Sequence, residues 1–557
     1  MNEQSLFERF NVSPLLNSLA DRIAMSETQK SPFQIFLQHL NGSVPAFVLQ
    51  TIFTHEKTNQ WNHIVVLNDA EEAAYFFNSI ESVTEAMDLF YFPSSFKTPH
   101  NFNFLNPSHV MLRTEALTKI SMGGNKKIIV TYPEALFEKV ILPKTLQKNI
   151  IQIKTNDSID LNAMMQQFID YGFERTDFVY EPGQFALRGG IFDIYSFGNE
   201  KPYRIELFGE EVDSIRLFDP ATQLSERKLL QVNIIPNVTT QFEDTEKIPL
   251  IEFMNSNTIL WVKDWNVIKQ RGMDQWESLN DFLTHTANNK PIELGDAHIK
   301  HTQLDDFDTV ENAEASLLNS TIIEWGFQAN IAKEVISFNT QVQPSFNRQF
   351  QLLIANLQEL EKKGYALFIF AEQAKQLERL HAIFTDLKTE IQFTPVVKNI
   401  HEGFIDHDHK IVCYTDHQIF QRYHKYKVKQ AYSKSKAITL RTLRDMQPGD
   451  YVTHIDHGVG VYSGLQKIDV NGLMQEAVRI IYKDSDILYV NINSLHKISK
   501  YTGKEGAPPK INKLGSDAWV KLKDKTKAKV KEIAFDLIKL YAQRKAQAGF
   551  AFTPDNY

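Results

Sequence analysis

The sequence predicts a multidomain α/β-plus-β fold. Its parts are a P-loop-type α/β domain interrupted by a β-rich insert, a second small α/β domain, a small SH3- or Tudor-like barrel and a long C-terminal helix. Three observations carry this. A length of 557 residues exceeds what one hydrophobic core serves, so about three to five domains are expected. Short continuous apolar runs alternate with amphipathic stretches over much of the chain, the pattern of parallel strands buried on both faces. Two segments, 147–236 and 447–501, instead break into short alternating runs punctuated by Gly and Asp, which marks strands joined by turns.

In chain order, residues 1–146 read as α/β, with Ile64-Val65-Val66-Leu67 and Ile128-Ile129-Val130 as buried strands. Residues 147–236 form the β-rich insert. Residues 237–320, with Ile259-Leu260-Trp261-Val262 as a strand, read as the returning half of the first α/β domain. A small α/β domain is expected over 321–428. There Phe346, Phe350, Leu353, Leu357 and Leu360 recur at helical spacing and stop at Gly364, a suitable C-terminal cap. Ala366–Phe370 and Ile411–Tyr414 follow as strands. Lysines crowd 424–438 without apolar periodicity, so 429–439 is assigned as a linker. A barrel is expected over 440–505 and a helix within 506–557.

Composition is that of a globular protein, 43% hydrophobic and 23% charged. The single cysteine, Cys413, excludes a disulfide framework and a cysteine zinc site. No basic, apolar leader opens the chain and no apolar run reaches membrane-spanning length, so a cytoplasmic location is expected. The net charge of −8 hides a split. Residues 421–557 hold 25 Lys+Arg against 13 Asp+Glu, leaving 35 against 55 in the first 420. Contact with a polyanion or an acidic protein is therefore expected at the C-terminal end, the alternative being lysines that solvate an exposed helix.

Where an ATP-driven α/β domain carries its phosphate loop, this chain reads Asn41-Gly42-Ser43-Val44-Pro45-Ala46. A working loop needs a lysine for the outer phosphates and a Ser/Thr for magnesium. Pro45 and Ala46 occupy those places, and proline also removes a backbone donor. Gly503-Lys504-Glu505 and Gly123-Gly124-Asn125-Lys126 do not complete the motif either. No nucleotide hydrolysis is expected through Gly42, Ser43, Pro45 and Ala46, and no catalytic residue is assigned.

In the insert, the period of two over 203–208 puts Tyr203, Ile205 and Leu207 on one face and Arg204, Glu206 and Phe208 on the other. An exposed arginine beside an aromatic is the composition of an interface anchor. The alternative packs Phe208 under a loop and pairs Arg204 with Glu206. Gly183-Gln184-Phe185-Ala186-Leu187-Arg188-Gly189-Gly190-Ile191-Phe192-Asp193-Ile194 and Tyr203-Arg204-Ile205-Glu206-Leu207-Phe208-Gly209, running on to Ile215-Arg216-Leu217-Phe218-Asp219, resemble the domain shared by the excinuclease subunit UvrB and the transcription-repair coupling factors. The resemblance implies binding to the damage-recognition subunit UvrA through Arg188, Arg204 and Phe208. It also makes the first domain a degenerate UvrB-like one.

Between 447 and 501 short strands are expected at Asp450–His454, Gly460–Lys467, Glu476–Lys483 and Ile487–Ile492, and five or so such strands in about 55 residues suggest a small SH3- or Tudor-like barrel. Turns fall at Asp469 with Asn471-Gly472 and at Asp484-Ser485-Asp486, and Gly458 and Gly460 permit a tight bend. His454 with His457, and His407 with His409, lack a plausible set of co-ligands and read as turn-stabilising, so no metal is expected. Helix 516–546 carries Trp519, Leu522, Val530, Ile533, Leu537, Leu540 and Tyr541 on one stripe, with Lys521, Lys523, Lys525, Lys527, Lys529 and Lys531 on its other faces.

The stretches 449–465, 488–501 and 513–544 resemble the RNA polymerase-interacting domain of transcription-repair coupling factors, a barrel related to CarD-type regulators, and the helix that follows it. The resemblance implies an edge strand docking on the polymerase β subunit, a physically reasonable mode because an edge presents unpaired backbone groups. The contact is expected at Leu465, Gln466, Lys467 and Ile468, with Ile468 most sensitive. The family continues beyond Gly549-Phe550-Ala551-Phe552 into a translocase that uses ATP and magnesium on double-stranded DNA to displace stalled polymerase. This chain ends at Tyr557, before any such motif, so those cofactors belong to the absent part. A UvrB-like ATPase and an autonomous nucleic-acid binder acting through the lysine helix remain the competing readings.

Overall fold

The computed structural model describes residues 3–29, 32–86, 88–98, 100–124, 126–220, 223–239, 245–254, 257–287, 301–422, 424, 447–470, 473–491, 498–501, 509, 511–515 and 518–546. The expected linker at 429–439, the Asn471-Gly472 turn and Gly549–Phe552 lie outside these residues. Two compact units are present, residues 1–215 with 228–432, and 216–227 with 433–557.

The first unit is built on a seven-stranded sheet, in the order Glu334–Ser337, Gln34–Gln38, Thr321–Trp325, Thr258–Lys263, Asn62–Val66, Ile128–Thr131, Leu89–Tyr91. Each neighbouring pair runs parallel. Ile64, Val65, Ile128, Ile129, Val130, Ile259 and Ile322 are fully buried, because helices cover both faces and water reaches neither. Asp69 caps helix Ala70–Val83 by accepting the Glu72 N–H at 2.8 Å, and Asn106 caps Pro107–Ser121 in the same way. The strand after the insert, Thr258–Lys263, lies between Asn62–Val66 and Thr321–Trp325, so the chain leaves this sheet and returns to it.

One expected boundary is corrected. Strands Thr321–Trp325 and Glu334–Ser337 belong to this first sheet rather than to a domain beginning at 321. The second sheet starts at Thr340, in the order Thr340–Val342, Phe404–Asp406, Ile411–Thr415, Ala366–Phe370, Thr394–Val396. A fully buried five-residue run reads the same in either sheet, and only its pairing with Ile259–Lys263 decides. Helix Phe350–Lys362 buries Leu353, Leu357 and Leu360 against this second sheet, and Gly364 ends it with φ +82°. Phe346 is buried in the same core but precedes the helix.

The insert carries a six-stranded sheet, in the order Ser225–Leu229, Glu211–Phe218, Tyr203–Phe208, Ile191–Ile194, Gln184–Arg188, Glu174–Arg175. Phe168, Phe173, Phe185, Phe192 and Phe197 pack ring against ring beneath it, mostly edge-on or tilted.

In the second unit five strands form one antiparallel sheet, in the order Ile487–Asn491, Leu473–Ile481, Gly458–Val470, Tyr451–His454, Ile498–Lys500. The second expected turn contains Asp484 and Ser485 at φ 66° and 64°. Helix Ala518–Ala546 follows. The Trp519 Nε1–H and the Lys523 Nζ both donate to the Ile455 carbonyl, at 3.0 and 2.9 Å, which ties the helix start to the bend before Gly458. Leu522, Val530, Ile533 and Leu537 of the expected stripe are 53–59% exposed. The side chains of Leu540 and Tyr541 lie outside the described residues.

Candidate functional site

Three places bear on function. They are the outer face of the insert sheet, the Gly458–Val470 strand and the turn at Gly42.

The insert face follows from strand register. Arg188 stands opposite Ile191, and Ile191 opposite Glu206; two residues along, Ala186 stands opposite Asp193 and Asp193 opposite Arg204. Residues directly opposite in antiparallel strands share a face. Arg188, Asp193, Arg204, Glu206 and Phe208 therefore project on one side, while Phe185, Phe192, Tyr203 and Ile205 enter the core on the other. Phe208 is 83% exposed, so it does not pack under a loop. Arg204 does not stand open to water. Its side chain is 13% exposed, and its Nε and Nη2 donate to the two Asp193 carboxylate oxygens at 2.8 and 2.9 Å. Glu206 accepts from the Ser214 hydroxyl at 2.6 Å.

Arg188 donates to Asp193 at 2.6 Å and to the Asp177 carbonyl at 2.9 Å, with its guanidinium 4.4 Å from the centre of the Phe178 ring. Gly190 is required at its turn, because a Cβ there would stand 2.8 Å from the Leu207 carbonyl oxygen. Sequence reasoning missed Asp193 and Phe178. The Gly189-Gly190 turn was the usable signal, since a two-residue hairpin loop sets which residues face each other.

On the Gly458–Val470 strand the register shifts between Tyr462 and Leu465, and Gly464 has φ +98°. Beyond this bulge Leu465, Gln466, Lys467 and Ile468 face Val478, Ala477, Glu476 and Gln475. The strand as a whole is not at the sheet edge. Its first part meets Tyr451–His454, while the recorded partners of 465–470 are all in Leu473–Ile481. A bulge bends and twists its strand, and among the described residues the pairing of 465–470 runs along one side only, against Leu473–Ile481. Leu465 is 47% exposed, Gln466 is exposed and accepts from the Tyr489 hydroxyl at 3.3 Å, and Ile468 is half-buried. The Lys467 side chain lies outside the described residues.

At the Gly42 turn, Gly42 has φ +57°, Ser43 precedes helix Val44–Thr54, and Pro45 and Ala46 are buried in its first turn. Residues 402–403 lie against the turn. The Ser43 N–H donates to the Glu402 carbonyl at 3.2 Å, and the Ser43 hydroxyl accepts the Glu402 N–H at 3.0 Å. A cavity of about 400 Å³ remains beside it, lined by Asp69, Glu71, Glu72, Glu402 and Lys263, among others. Lys263 is already paired with Glu72. With Lys263 and Glu72 offsetting each other, Asp69, Glu71 and Glu402 give the lining an excess of carboxylates.

His401, His417 and His424 sit close by. The His417 and His424 ring centres are 4.2 Å apart, and His401 stacks on Tyr75 at 3.7 Å. Burial, with smaller contributions from neighbouring charges, lowers all three to about 4.

His454, His407 and His409 each make a hydrogen bond within the fold. His454 Nδ1 accepts the Asp456 N–H at 3.1 Å, His407 Nδ1 lies 2.7 Å from the Tyr365 hydroxyl, and His409 bonds Asp406 at 2.7 Å. Among the described residues no group of three or more His, Cys, Asp or Glu could hold a metal.

Comparison with known proteins decides the relationship. Residues 151–239 match the UvrB interaction domain, and residues 446–502 match the CarD-like/TRCF RID domain. The transcription-repair-coupling factor of Bacillus subtilis (strain 168) is 26% identical over 93% of this chain and 49% of its own length. The chain is a homologue of the transcription-repair-coupling factors. That of Staphylococcus epidermidis (strain ATCC 35984) is 25% identical over 88% of the chain and 47% of its own length. For Staphylococcus aureus (strain Mu50) the figures are 24%, 90% and 48%. The chain thus spans about half the length of the curated relatives it matches. Both domain matches cover faces described above: Arg188, Asp193, Arg204 and Phe208 fall in the first, Leu465 to Ile468 in the second. No described helix is long and apolar enough to cross a membrane.

Proposed function

We propose that this chain is the recruiting and coupling part of a transcription-repair-coupling factor. It binds UvrA through Arg188, Arg204 and Phe208 and the RNA polymerase β subunit through Leu465, Gln466, Lys467 and Ile468. It works in the cytoplasm on a degenerate UvrB-like frame, with an SH3-like, CarD-related barrel as its polymerase module. The observation that carries this reading is Phe208, an exposed phenylalanine on the same sheet face as two arginines, inside a match to the UvrB interaction domain. An aromatic anchor flanked by arginine is the composition of binding hot spots. Displacement of stalled polymerase by ATP-dependent translocation on double-stranded DNA belongs to the whole protein, with ATP and magnesium bound outside these residues.

Titration of UvrA into the chain tests the reading. Arg204→Ala with Phe208→Ala weakens binding, each side chain contributing on the order of 1–3 kcal/mol. Equal affinity for the double variant and the parent would refute it. Nucleic-acid contact by the lysine helix has a separate support, since Lys521, Lys523, Lys525, Lys527, Lys529 and Lys531 are all exposed. Duplex DNA binding that falls linearly on a log–log salt plot would establish it, and a flat response would reduce the helix to a solvated scaffold.

A further inference from the structure

Asp193 is fully buried on the face of the insert that otherwise meets solvent. An ionised carboxylate in such a place needs partners. It has two, and both are residues already assigned to the UvrA face. One carboxylate oxygen accepts from Arg204 Nε, and the other accepts from Arg204 Nη2 and Arg188 Nη2. Strand register makes this possible, because Asp193 is the direct cross-strand neighbour of Arg204 and lies diagonally from Arg188 across the Gly189-Gly190 hairpin. Arg188 is held on two further sides by the Asp177 carbonyl and the Phe178 ring.

We propose that Asp193 is a positioning residue for UvrA binding, which fixes the Arg188 and Arg204 guanidinium groups before the partner arrives. Ordering long side chains at an interface costs entropy, and here that loss occurs on folding rather than on association. Of the two guanidinium groups Arg188 is the more open, at 27% side-chain exposure. The partner's matching feature is therefore an acidic side chain reaching Arg188, beside an apolar recess for Phe208. The inference rests on the UvrA reading above, and its test is arranged so that the two can fail separately.

The test is a double-mutant cycle on the full chain, read by titration with purified UvrA and accompanied by thermal melting. Asp193→Asn, which keeps shape and removes charge, weakens UvrA binding about tenfold while the melting transition persists. In an Arg188→Ala, Arg204→Ala background the same substitution changes affinity less than about twofold, because the groups it acts through are gone. A merely structural role would instead give the same loss in both backgrounds, and that additivity would overturn the proposal. So would parental affinity for Asp193→Asn when the arginine variants are impaired, which leaves the UvrA reading intact. Parental affinity for the arginine double variant overturns both. If Asp193→Asn alone loses its melting transition, Asp193→Asn combined with Arg204→Gln removes charge from both sides and is compared with Arg204→Gln alone. A further several-fold loss through Arg188 supports the proposal, and equal affinities overturn it.

Discussion

The Gly42 turn and the insert face show opposite uses of similar materials. Both put a glycine with positive φ at a tight turn, Gly42 at +57° and Gly209 at +64°, beside charged side chains. At Gly42 the chain's own residues 402–403 seat on the turn and carboxylates line the adjoining cavity. At Gly209 nothing lies within 4 Å of where a Cβ would stand, and Phe208 beside it is open to solvent. The Gly42 turn is covered by the chain's own residues, whereas the Gly209 turn is open. On the insert face Arg188 and Arg204 are held by Asp193 while Phe208 stays uncovered.

The largest expected effect lies outside both regions and isolates the second partner. Ile468→Arg abolishes binding to the polymerase β subunit in a pull-down while melting stays within a few degrees of the parent. Retained binding would remove the 465–468 stretch from the contact.

Next in size is a paired glycine test. Gly42→Ala costs about 1–3 kcal/mol in urea unfolding, since the new methyl would lie 2.7 Å from the Gly403 carbonyl oxygen and must also adopt positive φ. Gly209→Ala carries the backbone strain alone, about 1–2 kcal/mol at most, and so costs less. Equal costs would mean that residues 402–403 do not bear on the turn.

These contrasts set out what the sequence could and could not say. Strands such as Ile128–Thr131 and Thr258–Lys263 were readable because parallel strands buried on both faces are continuously apolar. The first sheet's extent was not, since Thr321–Trp325 is equally apolar in either sheet and only long-range pairing assigns it. Phe208 and Arg204 were legible as sharing a face from the period of two. Asp193 was not, because its importance lies in cross-strand register rather than in its own strand. The bulge after Tyr462 has the same character: Gly464 marks it, but what it does to 465–470 depends on the neighbouring strand.

The histidine cluster beside the covered turn predicts a moderate pH effect. His401, His417 and His424 titrate near 4 in the fold, below the ordinary 6.5, chiefly through burial. Between those values the unfolded chain binds more protons than the folded one, so stability is full above about pH 6.5 and falls as pH drops toward 4. Lys263 and Arg422 add to the lowering, and Glu372 opposes it at His424. Unfolding free energy measured from pH 7 to 5 should decline, and His417→Gln should make the decline shallower. A flat profile in both proteins would contradict the cluster as described.

The smallest expected effect is none. Pro45→Lys with Ala46→Thr restores the lysine and hydroxyl of a phosphate loop, yet magnesium–ATP should leave the melting temperature of that variant unchanged. The lining carboxylates and the seated 402–403 segment remain. A rise that grows with ATP concentration would signal binding to the folded state and would show that residue loss alone had silenced the turn.

The central claim is that two separate faces of one chain each hold a different partner. Its most direct test measures both affinities, for UvrA and for the polymerase β subunit, across the parent, Arg204→Ala with Phe208→Ala, and Ile468→Arg. The account predicts a crossed result, in which the first variant loses only UvrA and the second loses only polymerase. Losses that travel together, or affinities that do not move, would contradict it.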